Sequence, residues 1–210
     1  MIHNAEGIRI LTVDDHSLIR QGVAGLVATQ PDMQVVAEAA DGREALRQYR
    51  IHRPDITLMD LQMPEMSGLD AIIAIRGEYS EARIIVLTTY SGDVQALRAL
   101  KAGARAYLLK DAVDKELLEA IRAVHAGQKS TSAEVTFQLA EHATDDALSP
   151  AEVRVLRLIA EGKANKEIAA SLSTSDATVK GQVQSILSKL SARDRTHAAM
   201  IGLKRGIIQL

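Results

Sequence analysis

The sequence predicts two domains: a doubly wound α/β domain on five parallel strands, then a small all-α domain carrying a helix-turn-helix. Three observations predict this. Short apolar runs, each closed by a polar side chain, alternate with helical patterns through residues 1–127, which is the rhythm of βαβ units. Residues 148–210 show helical periodicity only. The charge also reverses along the chain. Residues 1–146 hold 15 Lys/Arg against 22 Asp/Glu, a difference of −7, and residues 147–210 hold 10 against 5, a difference of +5. The overall net charge of −2 hides this.

Taken in order, the first strand is Ile8-Arg9-Ile10-Leu11-Thr12-Val13, rich in β-branched residues and too short for a helix. Ser17 to Ala28 follows, with Leu18, Ile19, Val23, Leu26 and Val27 on one helical face. Gln34 to Glu38 reads as the second strand and Gly42 to His52 as the second helix. Ile56-Thr57-Leu58-Met59, Ile84-Ile85-Val86-Leu87 and Ala106-Tyr107-Leu108-Leu109 complete the strands. Leu69 to Ile75, Val94 to Ala102 and Asp114 to His125 complete the five helices. Glycines stand at the joints, and the domain closes near Gly127.

From Gln128 the composition becomes polar. Residues 128–147 read as a linker containing one helix, since Thr131 and Glu134 have capping-box spacing and Val135, Phe137 and Leu139 offer an apolar side. A flexible tether is the alternative. Ser149-Pro150-Ala151-Glu152 then combines an N-cap, a proline at the first helical position and the reciprocal glutamate. That helix ends at Gly162, a short helix runs from Lys163 to Leu172, and Ser175 or Asp176 caps a long helix through Val179, Val183, Ile186, Leu187 and Leu190. Thr196 to Arg205 puts Ala199, Met200 and Leu203 on a face suited to core or dimer packing.

Composition excludes several classes. No cysteine occurs, so disulfides, thiolate zinc sites and thiol catalysis are out, and 47% hydrophobic residues argue against disorder. Residues 1–7 lack the basic and apolar regions of a signal peptide, and no apolar stretch approaches spanning length. A cytoplasmic protein with no membrane partner is expected.

The polar residues that close the strands carry the chemistry. Asp14 and Asp15 follow the first strand, Asp60 the third, Thr88 the fourth and Lys110 the fifth. In an open α/β sheet the carboxyl ends of the strands border one crevice, so three carboxylates, a hydroxyl and an ammonium converge there. Such a set suits a divalent cation and a phosphoryl group. Any one of these aspartates alone would pass for a helix cap. His16 reads as a polar residue at a helix start rather than a metal ligand, and Tyr107 reads equally well as a core aromatic or a functional one.

Val13-Asp14-Asp15-His16, the run from Asp60 to Gly68, Leu87-Thr88-Thr89 and Tyr107-Leu108-Leu109-Lys110 resemble the receiver domain of two-component response regulators. Gly162, Asn165-Lys166-Glu167-Ile168-Ala169, Thr178-Val179-Lys180 and Lys189-Leu190 resemble the LuxR-type helix-turn-helix. Together they resemble the NarL/FixJ family over nearly the whole chain. The resemblance implies a flavodoxin-like receiver at 1–127, a linker at 128–147 and a DNA-binding domain at 148–210. It makes Asp60 the phosphoacceptor, with Thr88 and Lys110 engaging the phosphoryl group and Tyr107 the switch aromatic. It places Mg²⁺ on Asp15, on Asp14 through water, on Asp60, and on the main-chain carbonyl of Gln62.

For the second domain the resemblance implies that Lys180, Gly181, Gln184 and Ser185 face the major groove of double-stranded promoter DNA, with Asn165, Lys166, Thr178 and Lys189 near phosphates. A sensor histidine kinase as partner and a homodimer on activation are implied as well, with the chain self-catalysing phosphoryl transfer and its hydrolysis but not acting as a metabolic enzyme. Two departures stand out: Gly181 and Gln182 occupy places where the family usually carries a β-branched residue and a histidine. They keep open an alternative, a phosphate-sink or interaction protein with weak or altered DNA binding. A phosphoaspartate phosphatase fits less well, because Gln62 stands where such an enzyme has its second aspartate.

Overall fold

The computed structural model describes residues 7–89, 92–128, 130–131, 136 and 147–208. The chain divides into two compact units, Met1–Thr89 with Ala96–Thr136, and Tyr90–Gln95 with Phe137–Leu210.

The first unit is a parallel sheet with strands β1 (Ile8–Val13), β2 (Met33–Ala39), β3 (Ile56–Met59), β4 (Ile84–Thr88), β5 (Ala106–Leu109) and β6 (Ser130–Thr131), in the order β2-β1-β3-β4-β5-β6. Helices α1 (Ser17–Ala28), α2 (Gly42–His52), α3 (Gly68–Glu78), α4 (Asp93–Lys101) and α5 (Val113–His125) fall between the strands. β3, β4 and β5 are buried at every position, as expected of parallel strands covered on both faces. Side chains alternate with period two. Ile10, Ile56, Leu58, Ile85, Leu87, Ala106 and Leu108 form one core with Val23 and Val27 of α1 and Leu117, Ile121 and Val124 of α5. Asp41 caps α2 by accepting from the Glu44 N–H at 2.8 Å, and Ser67 caps α3 by accepting from Asp70.

The expected strands and helices are present with ends moved by up to three residues; α3 runs on to Glu78. Ser130 and Thr131 add a sixth, two-residue strand, absent from the expected set, by pairing with Ala106 and Tyr107. The chain leaving α5 thereby satisfies the open backbone edge of β5. Of the expected linker helix only Thr136 is described, and it is helical; the rest lies outside the described residues.

The second unit carries α6 (Pro150–Ala160), α7 (Asn165–Ser171), α8 (Asp176–Lys189) and α9 (Arg195–Lys204). Ser149 and Glu152 form the expected capping box, with the Ser149 N–H donating to the Glu152 carboxylate at 2.6 Å and the Glu152 N–H to Ser149 Oγ at 3.3 Å. Ser175, rather than Asp176, caps α8 and accepts from the Thr178 N–H at 3.0 Å. Val155, Leu156, Ile159, Ile168, Val179, Ile186, Leu190 and Ala198 make the core. No described helix is long and apolar enough to cross a membrane.

Candidate functional site

The carboxyl ends of β1, β3, β4 and β5 bring the strand-closing residues together. The Asp60 N–H donates to the Val13 carbonyl at 2.9 Å and the Asp14 N–H to Ala39 at 3.1 Å, so the backbone ladder itself sets these aspartates side by side. Asp14 and Asp60 are only 2% and 4% exposed, and Thr88 is fully buried. Lys110 opens a single 3₁₀ turn (Lys110–Ala112), and its Nζ lies 2.6 Å from Asp14 Oδ2 and 2.7 Å from Asp60 Oδ2.

Burial pushes the Asp60 carboxyl above its ordinary range, against the pull of Lys110. Burial alone would lower the Lys110 ammonium, but hydrogen bonds and charge from Asp14 and Asp60 outweigh it and the pKa rises. The Gln62 N–H donates to Asp60 Oδ1 at 3.3 Å, which places the Gln62 backbone against the same carboxylate. Tyr107 is fully buried; desolvation first, and the Asp60 charge second, raise its phenol well above the usual value.

Three carboxylates face one ammonium, so the pocket carries a formal surplus of two negative charges. A hard divalent cation fits that donor set and that deficit. Ligand atoms of Asp14, Asp15, His16 and Asp60 all lie within 4.8 Å of one another. Gly68 completes the wall. A Cβ there would lie 1.8 Å from the Asp60 carbonyl oxygen, so the start of α3 approaches the Asp60 backbone as only glycine permits.

In the second unit, Lys166 of α7 and Thr178, Lys180, Gly181 and Gln184 of α8 are exposed. Asn165 is half-buried, its Oδ1 accepting from Arg195 at 3.3 Å. Ser185 and Lys189 differ from the rest. Ser185 Oγ donates to Glu152 Oε1 at 2.6 Å, and Lys189 Nζ lies 2.9 Å from Glu152 Oε2. Burial works against the Glu152 charge, yet hydrogen bonds from Ser185, the Ser149 backbone and Lys189 hold its pKa at about 2.

Comparison with known proteins finds family matches in both parts of the chain. A family model for the response regulator receiver domain matches residues 10–122, and one for bacterial regulatory proteins of the luxR family matches residues 146–201. The chain is a LuxR-type response regulator. It is 42% identical over 206 residues to the uncharacterized transcriptional regulatory protein YhcZ of Bacillus subtilis, covering 94% of this chain and 96% of that one. It is 39% identical to the transcriptional regulatory protein LiaR of Bacillus subtilis over 209 residues, covering 96% and 99%. A solved structure of RcsB in complex with DNA aligns at 26% identity with a TM-score of 0.72, covering 94% of this chain and 98% of that one.

As a response regulator the chain pairs a receiver with a DNA-binding domain, and it is a transcriptional regulator rather than a metabolic enzyme. Three residues of this regulator escape a linear reading. His16 sits at the N-cap of α1 but makes no capping hydrogen bond; its ring turns to the carboxylates, with Nδ1 2.8 Å from Asp15 Oδ1 and 3.4 Å from Asp14 Oδ1. Glu152 is legible as a capping glutamate, not as the acceptor for two α8 side chains. Arg195 reaches back to Asn165 and the Lys163 carbonyl, and nothing in its sequence surroundings signals that.

Proposed function

We propose that a sensor histidine kinase phosphorylates this regulator on Asp60, and that the phosphorylated chain dimerises and binds promoter DNA in the cytoplasm to control transcription. The observation that carries the reading is the convergence of Asp14, Asp60 and Lys110 at the strand ends, with Lys110 bridging both carboxylates. In the transfer, a carboxylate oxygen of Asp60 forms the new bond to phosphorus as the phosphorus–nitrogen bond of the kinase histidine breaks, and the electron pair leaves with that nitrogen. The receiver itself positions these groups, and later admits the water that hydrolyses the acyl phosphate. Lys110, released from Asp60 as its charge is esterified, pairs with the phosphoryl oxygens. The Thr88 hydroxyl hydrogen-bonds to the same group, and its movement is relayed to Tyr107 on the adjacent strand β5, where Tyr107 pairs with Val86 and Leu109 with Thr88. Asp15, Asp14, Asp60 and the Gln62 carbonyl would hold Mg²⁺, whose charge offsets that of the incoming phosphoryl group.

The domain division at 1–127, 128–147 and 148–210 is part of this reading, supported by matches at 10–122 and 146–201. Likewise Asn165, Lys166, Thr178, Lys180, Gly181 and Gln184 are read as the DNA face, with double-stranded DNA as the ligand. Structures of RcsB bound to DNA, including one with a promoter and a phosphomimetic, support that partner.

The test is intact-mass and native mass spectrometry after exposure to a small phosphodonor with Mg²⁺. Wild type gains one phosphoryl group and shifts to dimer, and Asp60→Asn does neither. Modification without dimerisation, joined to weak DNA binding, would favour the phosphate-sink alternative, which Gly181 and the absence of arginine from α8 keep in view.

A further inference from the structure

We infer that Glu152 is a positioning residue for DNA recognition: it pins α8 through Ser185 and Lys189 and thereby withholds both side chains from the DNA. The inference rests on the reading of the second unit as the DNA-binding domain, and it departs from the family expectation that Ser185 faces bases and Lys189 a phosphate.

Glu152 is only 6% exposed and receives three donors at once, from the Ser149 N–H, the Ser185 hydroxyl and the Lys189 ammonium. A buried carboxylate is stable only while its lone pairs stay occupied, so each donor is costly to remove. Ser185 and Lys189 lie four residues apart on α8 and therefore share one helical face. Two anchors on one face fix the rotation of the helix about its own axis. With that face turned to α6, Thr178, Lys180, Gly181 and Gln184 are left on the exposed side. Lys189 is held a second time, 3.4 Å from the Ala147 carbonyl. An ammonium already paired in this way has its charge spent inside the domain and releases no counterion on binding DNA.

Counterion release supplies a readout that a purely structural role does not move. Each phosphate neutralised by a lysine adds about 0.9 to the slope of log K against log salt concentration. The experiment measures fluorescence anisotropy of a labelled 30-base-pair duplex of mixed sequence from low to moderate salt, with the full-length chain.

Lys189→Gln is expected to leave the slope unchanged, whereas Lys180→Ala lowers it by about 0.9. Glu152→Gln keeps an acceptor for Ser185 but frees Lys189, so the slope is expected to rise by up to about 0.9. Ser185→Ala removes one anchor and is expected to weaken binding several-fold at every salt concentration, with an unchanged slope. A fall of about 0.9 in the slope for Lys189→Gln overturns the inference, because Lys189 would then be a phosphate contact. Wild-type affinity in Ser185→Ala, in a protein whose melting temperature alone has dropped, overturns the positioning role. Absence of DNA binding by the wild type sinks the DNA-binding reading itself, which is a distinct result. Lys189→Gln tests the inference even where Glu152→Gln does not fold.

Discussion

At the scale of single residues, two carboxylates show opposite electrostatics and lead to opposite predictions. The pKa of Asp60 is raised on folding, chiefly by burial, so its contribution to stability is present below the unfolded value of about 3.9 and is lost as pH rises through the folded value. At neutral pH without divalent cation, Asp60 is a net burden. Asp60→Asn is therefore expected to raise the melting temperature at pH 7 in chelator, by about 2–4 °C for each kcal/mol relieved, with the gap closing toward pH 4 and on adding Mg²⁺. Thermal melts of both proteins across pH check this; a lower melting temperature for the variant would contradict it. The pKa of Glu152 is lowered to about 2, so its contribution is present above the unfolded value of about 4.3 and is lost as pH falls through that value toward 2. Glu152→Gln should melt lower than wild type at pH 7, and the difference should shrink between pH 4.3 and 2. A difference that ignores pH would mean that shape, not charge, holds the network.

At the scale of elements, two glycines have opposite reasons to be glycine. Gly68 starts α3 where its backbone meets Asp60, and its N–H donates to the Leu61 carbonyl at 3.0 Å. Gly68→Ala must push the acceptor strand end aside, and a displacement near 1 Å costs on the order of a hundredfold in a positioned reaction. A loss of that size in the rate of labelling by small phosphodonors is expected, read by intact mass over time. Gly181 lies within α8, and a Cβ there would meet nothing within 4 Å. Gly181→Ala is expected to stabilise the second unit by about 1 kcal/mol through helix propensity alone. Chemical denaturation of the two proteins decides it, since a loss of stability would mean that the helix backbone there is not regular. The elements themselves were largely legible: apolar runs such as Ile84 to Leu87 and caps such as Ser149 name their own conformation. The sixth strand was not, because the pairing of Ser130 and Thr131 depends on an open edge that only the folded sheet offers.

At the scale of the whole molecule, the charge separation along the chain divides the labour. The acidic part holds the aspartate cluster, which suits a cation and a phosphoryl group, and the basic part suits a polyanion. The proposed DNA face is short of arginine, so binding should depend strongly on salt and on pairing of two chains, with half-sites on DNA about 10 base pairs apart. Lys180→Ala is expected to weaken binding uniformly across sequences and to lower the salt slope by about 0.9, read by the same anisotropy titration. A change confined to one base position would instead make Lys180 a base reader.

The sequence by itself determined the strands, the helices and which polar residues meet at the strand ends. Short apolar runs, caps and strand-closing aspartates are local signals, and the parallel α/β topology sends the strand ends to one crevice. Only the tertiary structure decided which polar side chains are already taken. The family resemblance makes Ser185 and Lys189 DNA contacts, and both are bound to a carboxylate more than thirty residues away. His16 looks like a cap and lies instead among the aspartates. Hydrogen-bond partners across such distances depend on how helices rotate against one another in a packed core, and no local pattern encodes that rotation.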